Sequence, residues 1–318
     1  MRAIVIQDKR LELRDVPTPE PGPGQVRVRI RASAVNRADL LQRAGHYPAP
    51  PDAPADIPGL ELAGEVSAVG PGAELAVGER VYGLTGGGAY AEEVVVHGRT
   101  LARMPEDLGF REAAAIPEAY LTAYDAIVLQ AGLMAGETLL VHAAGSGVGI
   151  AALQLASALG VRAIGTVRTA DKAPRIEALG AKALVVGKDA KFADRVKELG
   201  GADVVLELVG GSYVPESLAS MSERGRLVLV GLLAGAKAEL DLGLVLRKRL
   251  RVMGTVMRAR PLEEKIAAGR VLARNLTPLV EAGKLAPIID RVFPLAEAEA
   301  AMDHVASNAS FGKVVLEV

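Results

Sequence analysis

The amino-acid sequence predicts an α/β protein in which a doubly wound parallel sheet is joined to a second, β-rich domain. Residues 1–110 form short apolar runs separated by Pro/Gly turns, a pattern typical of antiparallel strands. From about residue 111, apolar strands alternate with helical stretches, which indicates a parallel sheet buried on both faces. A chain of 318 residues is long enough for two separate cores.

The β-rich segment contains one helical interruption. Alternating residues predict strands at 3–6, 11–16, 25–35, 62–70, 79–84 and 89–97. Between the third and fourth of these runs, NRADLLQRAG (36–45) predicts a short helix, and a proline-rich stretch to residue 59 predicts an irregular lid or pocket wall.

The second segment begins with a helical stretch in which Pro117 kinks or restarts the helix. Six apolar strands then alternate with helices and end near Met257. A helical stretch (262–284), a strand, a helix (294–307) and the strand GKVVLEV follow, and the last strand resembles the first segment. The sequence therefore predicts a catalytic domain at 1–115, a cofactor-binding domain at 116–257 and a return to the first domain at 258–318.

The run LLVHAAGSGVG at 139–149 narrows the function most. An apolar strand breaks there into a glycine-rich turn, and a helix follows, the context of the Rossmann dinucleotide-binding motif. Ala144 and Ser146 stand at the first two glycine positions of the motif, and Gly149 at the third. The turn predicts a pyrophosphate site at the helix start. The alternative is a strand-to-helix connection that needs small residues.

The end of the next strand indicates which nucleotide binds. NAD sites place Asp or Glu there for the ribose 2′-OH, whereas this chain has Arg168, Thr169 and then Lys172. A guanidinium and an ammonium attract a 2′-phosphate, so NADPH is favoured over NADH. The alternative is a pair of solvated loop charges.

Composition excludes several classes of function. The net charge is −1 with dispersed Lys and Arg, which argues against nucleic acid, and no apolar run approaches 18 residues, so no membrane span is expected. Cysteine is absent, which excludes disulfides and thiolate zinc sites, and the four histidines lack metal-ligand spacing. His142 lies on a buried strand and is expected to be a packed, hydrogen-bonded side chain. The N-terminus lacks the apolar region of a signal peptide, so a cytoplasmic protein is expected.

Seven motifs occur in order along the chain: NRADLLQRAGHY (36–47), PGLELAGEV (58–66), AAAIPEAYLTAY (113–124), HAAGSGVG (142–149), ELVGGSY (207–213), LVLVGLLAG (227–235) and FGKVVLEV (311–318). Together they resemble the motifs of the medium-chain dehydrogenase/reductase superfamily. Within it, the chain is similar to the zinc-free quinone oxidoreductases related to zeta-crystallin, and most of all to the tumour-suppressor-inducible branch.

The resemblance implies a GroES-like fold for the catalytic domain and explains what is absent. Zinc-dependent members of the superfamily carry ligands where Asn36, Leu60 and Glu118 stand, and Glu61 remains alone. Without a metal to polarise a carbonyl, an acceptor that takes hydride easily is favoured. The expected activity is NADPH-dependent, zinc-independent quinone reduction. The alternatives are an NADPH-dependent 2-alkenal or enoyl reductase, and a nucleotide-binding protein of low turnover.

The resemblance also assigns site residues. Asn36 and Tyr47 match positions that donate to the acceptor oxygen, and Thr122 a position beside the nicotinamide. Each residue has a purely structural alternative role. Asn36 could stabilise a turn with Asp39, Tyr47 could pack the proline-rich loop, and the Thr122 hydroxyl could bond a helical carbonyl. The cofactor-binding residues expected are Ala144, Gly145, Ser146, Gly147, Val148, Gly149, Arg168, Lys172, Gly210, Gly231, Leu232, Leu233, Thr255 and Lys313.

Two further expectations concern specificity and assembly. Gly187 stands where relatives often have a Tyr near the adenosine ribose, which leaves the preference for NADPH over NADH open. The resemblance also implies a homodimer or homotetramer, joined through the strand edge around residues 250–257, since an uncovered parallel edge would invite aggregation. The partner molecule is a small quinone or enone.

Overall fold

The computed structural model describes residues 1–187 and 189–318. The chain forms two compact units, Met1–Leu121 with Met257–Val318 and Thr122–Val256. We refer to the first as the β-rich unit and to the second as the parallel-sheet unit.

The strands are β1 Arg2–Gln7, β2 Arg10–Asp15, β3 Gln25–Val35, β4 Glu61–Val69, β5 Arg80–Leu84, β6 Glu93–His97, β7 Leu101–Arg103, β8 Thr138–Val141, β9 Arg162–Val167, β10 Lys182–Val185, β11 Ala202–Glu207, β12 Met221–Leu229, β13 Arg251–Gly254, β14 Ile289–Pro294 and β15 Lys313–Glu317. The α-helices are α1 Arg37–Arg43, α2 Phe110–Ala114, α3 Pro117–Tyr124, α4 Gly147–Ala158, α5 Ala173–Glu177, α6 Ala193–Glu198, α7 Tyr213–Ser220, α8 Leu242–Lys248, α9 Leu262–Val271, α10 Thr277–Glu281 and α11 Ala298–Ala306. Short 3₁₀ segments lie at Gly98–Thr100, Ala170–Lys172 and Leu295–Glu297, and π-helical segments at Asp125–Gln130 and Leu272–Leu276.

The β-rich unit is built on a mostly antiparallel sheet with the order β14-β15-β3-β4-β5-β7, and β6 also pairs with β3. Along β3, Val26, Val28 and Ile30 are buried in turn while the residues between them are more exposed, the alternation that the sequence predicts. The last strand of the chain, β15, pairs antiparallel with β3, so the chain returns to this unit.

In the described part of the parallel-sheet unit, six parallel strands form a sheet in the order β10-β9-β8-β11-β12-β13. The doubly wound parallel sheet expected from the sequence is therefore confirmed. The strand order reverses between β8 and β11, and in such sheets ligands bind at the carboxyl ends of the strands beside this reversal. Apolar residues from both faces of the sheet form the core, among them Leu140, Ile164 and Val205.

Helix α3 begins at Pro117, as expected for a proline that restarts a helix, because the first turn needs no proline N–H. The same helix passes into the π-helical turn Asp125–Gln130, which the sequence did not predict. Across the described residues, no helix has both the length and the apolar character needed to cross a membrane.

Candidate active site

The glycine-rich segment runs from the end of β8 into the first turn of α4. It contains the six predicted residues Ala144, Gly145, Ser146, Gly147, Val148 and Gly149, of which the last three belong to the helix. The Ser146 hydroxyl oxygen accepts a hydrogen bond from the Gly149 N–H at 3.1 Å and so caps the helix. The Ala144 N–H donates to the Thr166 carbonyl at 3.0 Å, which ties the turn to β9. The first turn of α4 contains no acidic residue. The helix start therefore presents backbone N–H groups to an anion without a competing carboxylate.

Gly149 is required by packing. A Cβ atom built on Gly149 would lie 2.7 Å from the Ala144 Cα and from the carbonyl oxygens of Ala143 and Ala144. Helix α4 thus approaches the end of β8 so closely that only glycine fits, the role of the third glycine in dinucleotide-binding turns.

The two predicted 2′-phosphate residues follow β9. Arg168 is exposed and Lys172 is half-buried at the end of a 3₁₀ turn. Asp171 lies beside Lys172 in the same turn and was not predicted from the sequence. Its pKa is lowered by a hydrogen bond from the Thr169 side chain and, to a smaller extent, by the charges of Lys172 and Arg175. Residues 168–175 therefore contain three cationic side chains and one carboxylate, a net positive charge.

The predicted residues on the later strands lie at the same carboxyl edge of the sheet. Gly210 has a φ of 72°, and a Cβ there would lie 2.7 Å from the Gly235 carbonyl oxygen. Leu232 and Leu233 are about half exposed, at 53% and 52%. The remaining two are Gly231, where a Cβ would lie 2.5 Å from the Leu208 carbonyl oxygen, and Thr255, whose hydroxyl donates to the Asp125 carboxylate at 2.6 Å.

His142 is fully buried within this unit. Its Nδ1 lies 3.0 Å from the Thr166 hydroxyl and its Nε2 lies 2.9 Å from the Ser217 hydroxyl. Burial lowers its pKa, so the ring is neutral at pH 7. The expectation of a packed, hydrogen-bonded histidine is confirmed.

In the β-rich unit, a buried cation lies at the centre of a polar cluster. The Lys313 ammonium donates to Asn36 Oδ1 and to Glu61 Oε1, both at 2.6 Å, and contacts the Val35 carbonyl at 3.4 Å. The Asn36 amide donates to Glu61 Oε1 at 2.8 Å and to the Ala34 carbonyl at 3.1 Å. The Glu61 side chain is fully buried and that of Lys313 is 5% exposed. We call Asn36, Glu61 and Lys313 the buried ion-pair cluster.

A second buried carboxyl group, that of Asp39, holds the backbone of Asn36 in this cluster. Asp39 Oδ2 accepts hydrogen bonds from the Asn36 backbone N–H at 2.8 Å and from the Tyr90 hydroxyl at 3.0 Å. The pKa of Asp39 is raised to about 6, because burial outweighs the lowering by these hydrogen bonds and by Lys313. Asn36 therefore forms the turn with Asp39 that was expected as its structural role. Its side chain also forms hydrogen bonds within the buried ion-pair cluster.

The residues at this position do not fit zinc. Tetrahedral zinc sites use thiolate, imidazole and carboxylate donors. Here the positions of Asn36 and Leu60 offer an amide and an aliphatic side chain, and the ammonium of Lys313 holds Glu61. Among the described residues, no group of three or more His, Asp or Glu side chains is arranged to hold a metal ion.

A cleft opens beside the cluster within the β-rich unit. Its lining residues are Leu84, Thr85, Glu118, Met257, Arg258, Arg260, Lys265 and Ala268. The Arg258 guanidinium donates to the carbonyls of Gly86 at 2.7 Å and Tyr47 at 3.1 Å, and to Gln42 Oε1 at 2.7 Å. It also lies 5.2 Å from the centre of the Tyr47 ring. Arg258 therefore fixes Tyr47 beside the cleft, a role that the sequence argument missed.

Glu118 is the acidic residue of the cleft. Its backbone N–H donates to Glu61 Oε2 at 2.7 Å, which brings the start of α3 against the buried ion-pair cluster. The pKa of Glu118 is raised to about 8, chiefly by burial and then by the Glu61 carboxylate, while the charge of Lys313 opposes both. The sequence identified Glu118 only as the position of a lost metal ligand.

Thr122 lies in the parallel-sheet unit and is 6% exposed. Its hydroxyl oxygen is buried and has no hydrogen-bond partner in the described part of the chain. The alternative that Thr122 bonds a helical carbonyl is therefore wrong. A buried hydroxyl without a partner is costly, and a bound ligand with a polar group would satisfy it.

The predicted residues thus divide between the two units. The glycine-rich turn, Arg168, Lys172 and the strand-end residues meet at one edge of the parallel sheet. Asn36 and Lys313 meet in the buried ion-pair cluster, and Tyr47 lies against Arg258. The Lys313 ammonium donates inside that cluster, whereas its expected role in cofactor binding stays a prediction.

Comparison with known proteins agrees with this division. A family described as "Alcohol dehydrogenase GroES-like domain" matches residues 22–106, and one described as "Zinc-binding dehydrogenase" matches residues 147–272. Quinone oxidoreductase-like protein 2 of Bos taurus is 33% identical over 289 residues, covering 89% of this chain and 82% of that protein. Polyketide synthase GfsB of Streptomyces halstedii is 36% identical over 286 residues, which is 89% of this chain and 5% of the synthase.

A solved structure of the quinone oxidoreductase from Thermus thermophilus, described together with its complex with NADPH, superposes with a TM-score of 0.86. It is 36% identical and both chains are covered in full. Fold and site together define a nicotinamide-dependent oxidoreductase with a GroES-like domain and a Rossmann domain. The chain belongs to the medium-chain dehydrogenase/reductase superfamily, among its quinone oxidoreductases.

Proposed function

We propose that this protein is an NADPH-dependent quinone oxidoreductase that works without zinc. The observation that carries the proposal is the Lys313 ammonium, which lies 2.6 Å from both Glu61 and Asn36, beside the position that a metal takes in zinc-dependent relatives. A site without a Lewis acid suits an acceptor that needs little polarisation, and a quinone is such an acceptor.

The parallel-sheet unit supplies the residues that would hold NADPH. The N–H groups at the start of α4 and the Ser146 hydroxyl suit the pyrophosphate, while Arg168 and Lys172 suit the 2′-phosphate. The buried, unpartnered hydroxyl of Thr122 suits a polar group of the nicotinamide. When bound, NADPH supplies a hydride to the acceptor.

The β-rich unit supplies the residues that would hold the acceptor. The cleft combines apolar contacts from Leu84, Met257 and Ala268 with the guanidinium of Arg258, whose hydrogen bonds go to neutral oxygens. That positive charge stabilises negative charge developing on an acceptor oxygen. Tyr47, held by Arg258, remains protonated because burial raises its pKa and can donate a hydrogen bond. Both amide N–H groups of Asn36 are used within the protein, so we assign Asn36 to positioning Glu61.

The cofactor assignment is tested by the double variant Arg168→Ala/Lys172→Ala. Charge-assisted hydrogen bonds contribute about 1.5–3 kcal/mol each, so loss of both should weaken NADPH binding by about 100-fold or more and leave NADH binding nearly unchanged. Isothermal titration calorimetry measures both affinities. The control is Arg162→Ala/Lys182→Ala. It removes two exposed cations that lie at the amino ends of β9 and β10, away from the carboxyl edge of the sheet. Wild-type affinity ratios in the test variant would refute the assignment of the 2′-phosphate site.

A second candidate function is reduction of a 2-alkenal or enoyl thioester, and the similarity to a polyketide synthase favours it. Initial rates of NADPH oxidation with a benzoquinone, a 2-alkenal and an enoyl thioester distinguish the two. A quinone rate well above the other rates supports the proposed function, and the reverse order supports the second candidate. Tight NADPH binding without turnover would indicate a nucleotide-binding protein.

We also propose that the protein is a homodimer joined along β13. This strand lies at the edge of the parallel sheet, and its Val252 is 40% exposed. Leu242 and Leu246 of the adjoining helix α8 are 73% and 76% exposed. An uncovered edge beside apolar side chains favours pairing with a second copy. Light scattering of the wild type and of Val252→Lys tests this, with a shift of the variant to monomer expected.

A further inference from the structure

Three carboxyl groups lie around one buried ammonium in the β-rich unit. Glu61 bonds Lys313 directly at 2.6 Å, Asp39 bonds the Asn36 backbone, and Glu118 bonds Glu61 through its own backbone N–H. The ammonium neutralises one negative charge. Full ionisation of all three carboxyls would leave two buried negative charges uncompensated, apart from the more distant Arg258.

The three carboxyl groups differ in how accessible they are from the cleft. Asp39 and Glu61 are fully buried, whereas Glu118 is half-buried and lines the cleft. A molecule in the cleft can therefore exchange a proton with Glu118 but not with the other two carboxyls. Arg258, Arg260 and Lys265 line the same cleft, and Lys265 is paired with Asp52 at 2.7 Å.

We propose that Glu118 is the catalytic acid that protonates the reduced acceptor, an inference that rests on the proposed quinone reductase function. Hydride from bound NADPH would form an O–H bond on one quinone oxygen as the nicotinamide is oxidised to NADP⁺, and a negative charge would be left on the other oxygen. The Glu118 carboxyl O–H bond breaks and a new O–H bond forms on that oxygen, giving the hydroquinone. Water then returns a proton to the Glu118 carboxylate.

The electrostatics of the cleft support this role. The pKa of Glu118 is raised to about 8, because burial and the charges of Glu61 and Asp39 raise it more than Lys313 and Arg258 lower it. Glu118 is thus protonated at pH 7 and still acidic enough to release the proton. The other candidate donor, Tyr47, is less suited because burial and the charge of Glu118 raise its pKa above 10.

The experiment compares wild type, Glu118→Gln, Glu118→Asp and the control Glu106→Gln, which changes an exposed glutamate of the same unit. Wild-type kcat with a benzoquinone should fall as the pH rises through about 8, because the acid must be protonated. Glu118→Gln should lower kcat by about 100-fold or more, abolish that limb of the pH profile and leave NADPH affinity unchanged. Glu118→Asp should restore part of the rate and the limb.

An infrared difference titration of the enzyme without cofactor gives an independent readout. Between pH 7 and 10, a range above the pKa of about 6 of Asp39, wild type and Glu106→Gln should lose the carbonyl stretch of a protonated carboxyl, and Glu118→Gln should not show this change. Full quinone activity with an unchanged pH profile in Glu118→Gln would overturn the inference and leave the proposed function standing. Absence of quinone reduction in the wild type would refute both.

Discussion

Substitution Lys313→Met tests whether the buried ion-pair cluster stabilises the β-rich unit. Methionine keeps the length and apolar stem of the side chain and removes the ammonium. The Glu61 carboxylate would keep its hydrogen bonds from the Asn36 amide at 2.8 Å and the Glu118 N–H at 2.7 Å, but it would lose its only cationic partner within the described residues. Breaking a buried pair in this way costs about 3–5 kcal/mol of the free energy of unfolding.

The double variant Lys313→Met/Glu61→Gln provides the matched comparison. It removes both charges, so no buried carboxylate is left without a counter-ion, and a large part of the lost stability should return. Urea unfolding at pH 7, followed by circular dichroism, gives the free energy of unfolding of all four proteins in the cycle. A Lys313→Met variant within about 0.5 kcal/mol of wild type would refute the reasoning, since that is the scale of an ordinary surface change. So would a double variant whose loss equals the sum of the single losses.

Two further predictions concern the turn and the buried acid. Gly149→Ala should weaken NADPH binding at least 10-fold in calorimetry and lower the melting temperature. The reason is that the added Cβ would lie 2.7 Å from backbone atoms of Ala143 and Ala144. Wild-type affinity and melting temperature in this variant would contradict the close packing of α4 against the end of β8. Glu118→Gln should flatten the pH dependence of stability. The folded-state pKa of Glu118 is raised from 4.5 to about 8, so the folded protein binds the proton more tightly. Wild type should therefore lose up to about 1.4 kcal/mol of unfolding free energy per pH unit as the pH rises from 5 to 8. Thermal melts across that range measure the slope, and equal slopes in wild type and variant would refute the raised pKa.

The strands with strong alternation or continuous apolar runs were predictable from the sequence. Strand β3 occupies residues 25–35, the bounds that the alternation predicts, because buried and exposed positions alternate along it. The sixth strand was predicted at 89–97 and begins only at Glu93. Residues before it, including Tyr90, form backbone hydrogen bonds with β1, and a local pattern does not show which partner a strand-like run will take.

The phosphate turn was predictable because its residues are contiguous. The contacts that require small residues there, such as that of Gly149 with Ala144, lie within the same short segment. The buried ion-pair cluster was not, since 252 positions separate Lys313 from Glu61 in the sequence. The resemblance identified Lys313 as a site residue, but its hydrogen bonds to Asn36 and Glu61 follow only from the pairing of β15 with β3. Glu118 and Arg258 were missed as functional groups for the same reason: their chemistry depends on charges that come from distant segments.

Quinone-dependent loss of NADPH absorbance by chelator-treated protein tests the central claim most directly, with metal content measured on the same sample. We expect steady oxidation of NADPH with a benzoquinone, slower oxidation of NADH, and no change when zinc is added or removed. A protein that turns over only after zinc is restored, or that reduces no quinone while binding NADPH, would contradict it.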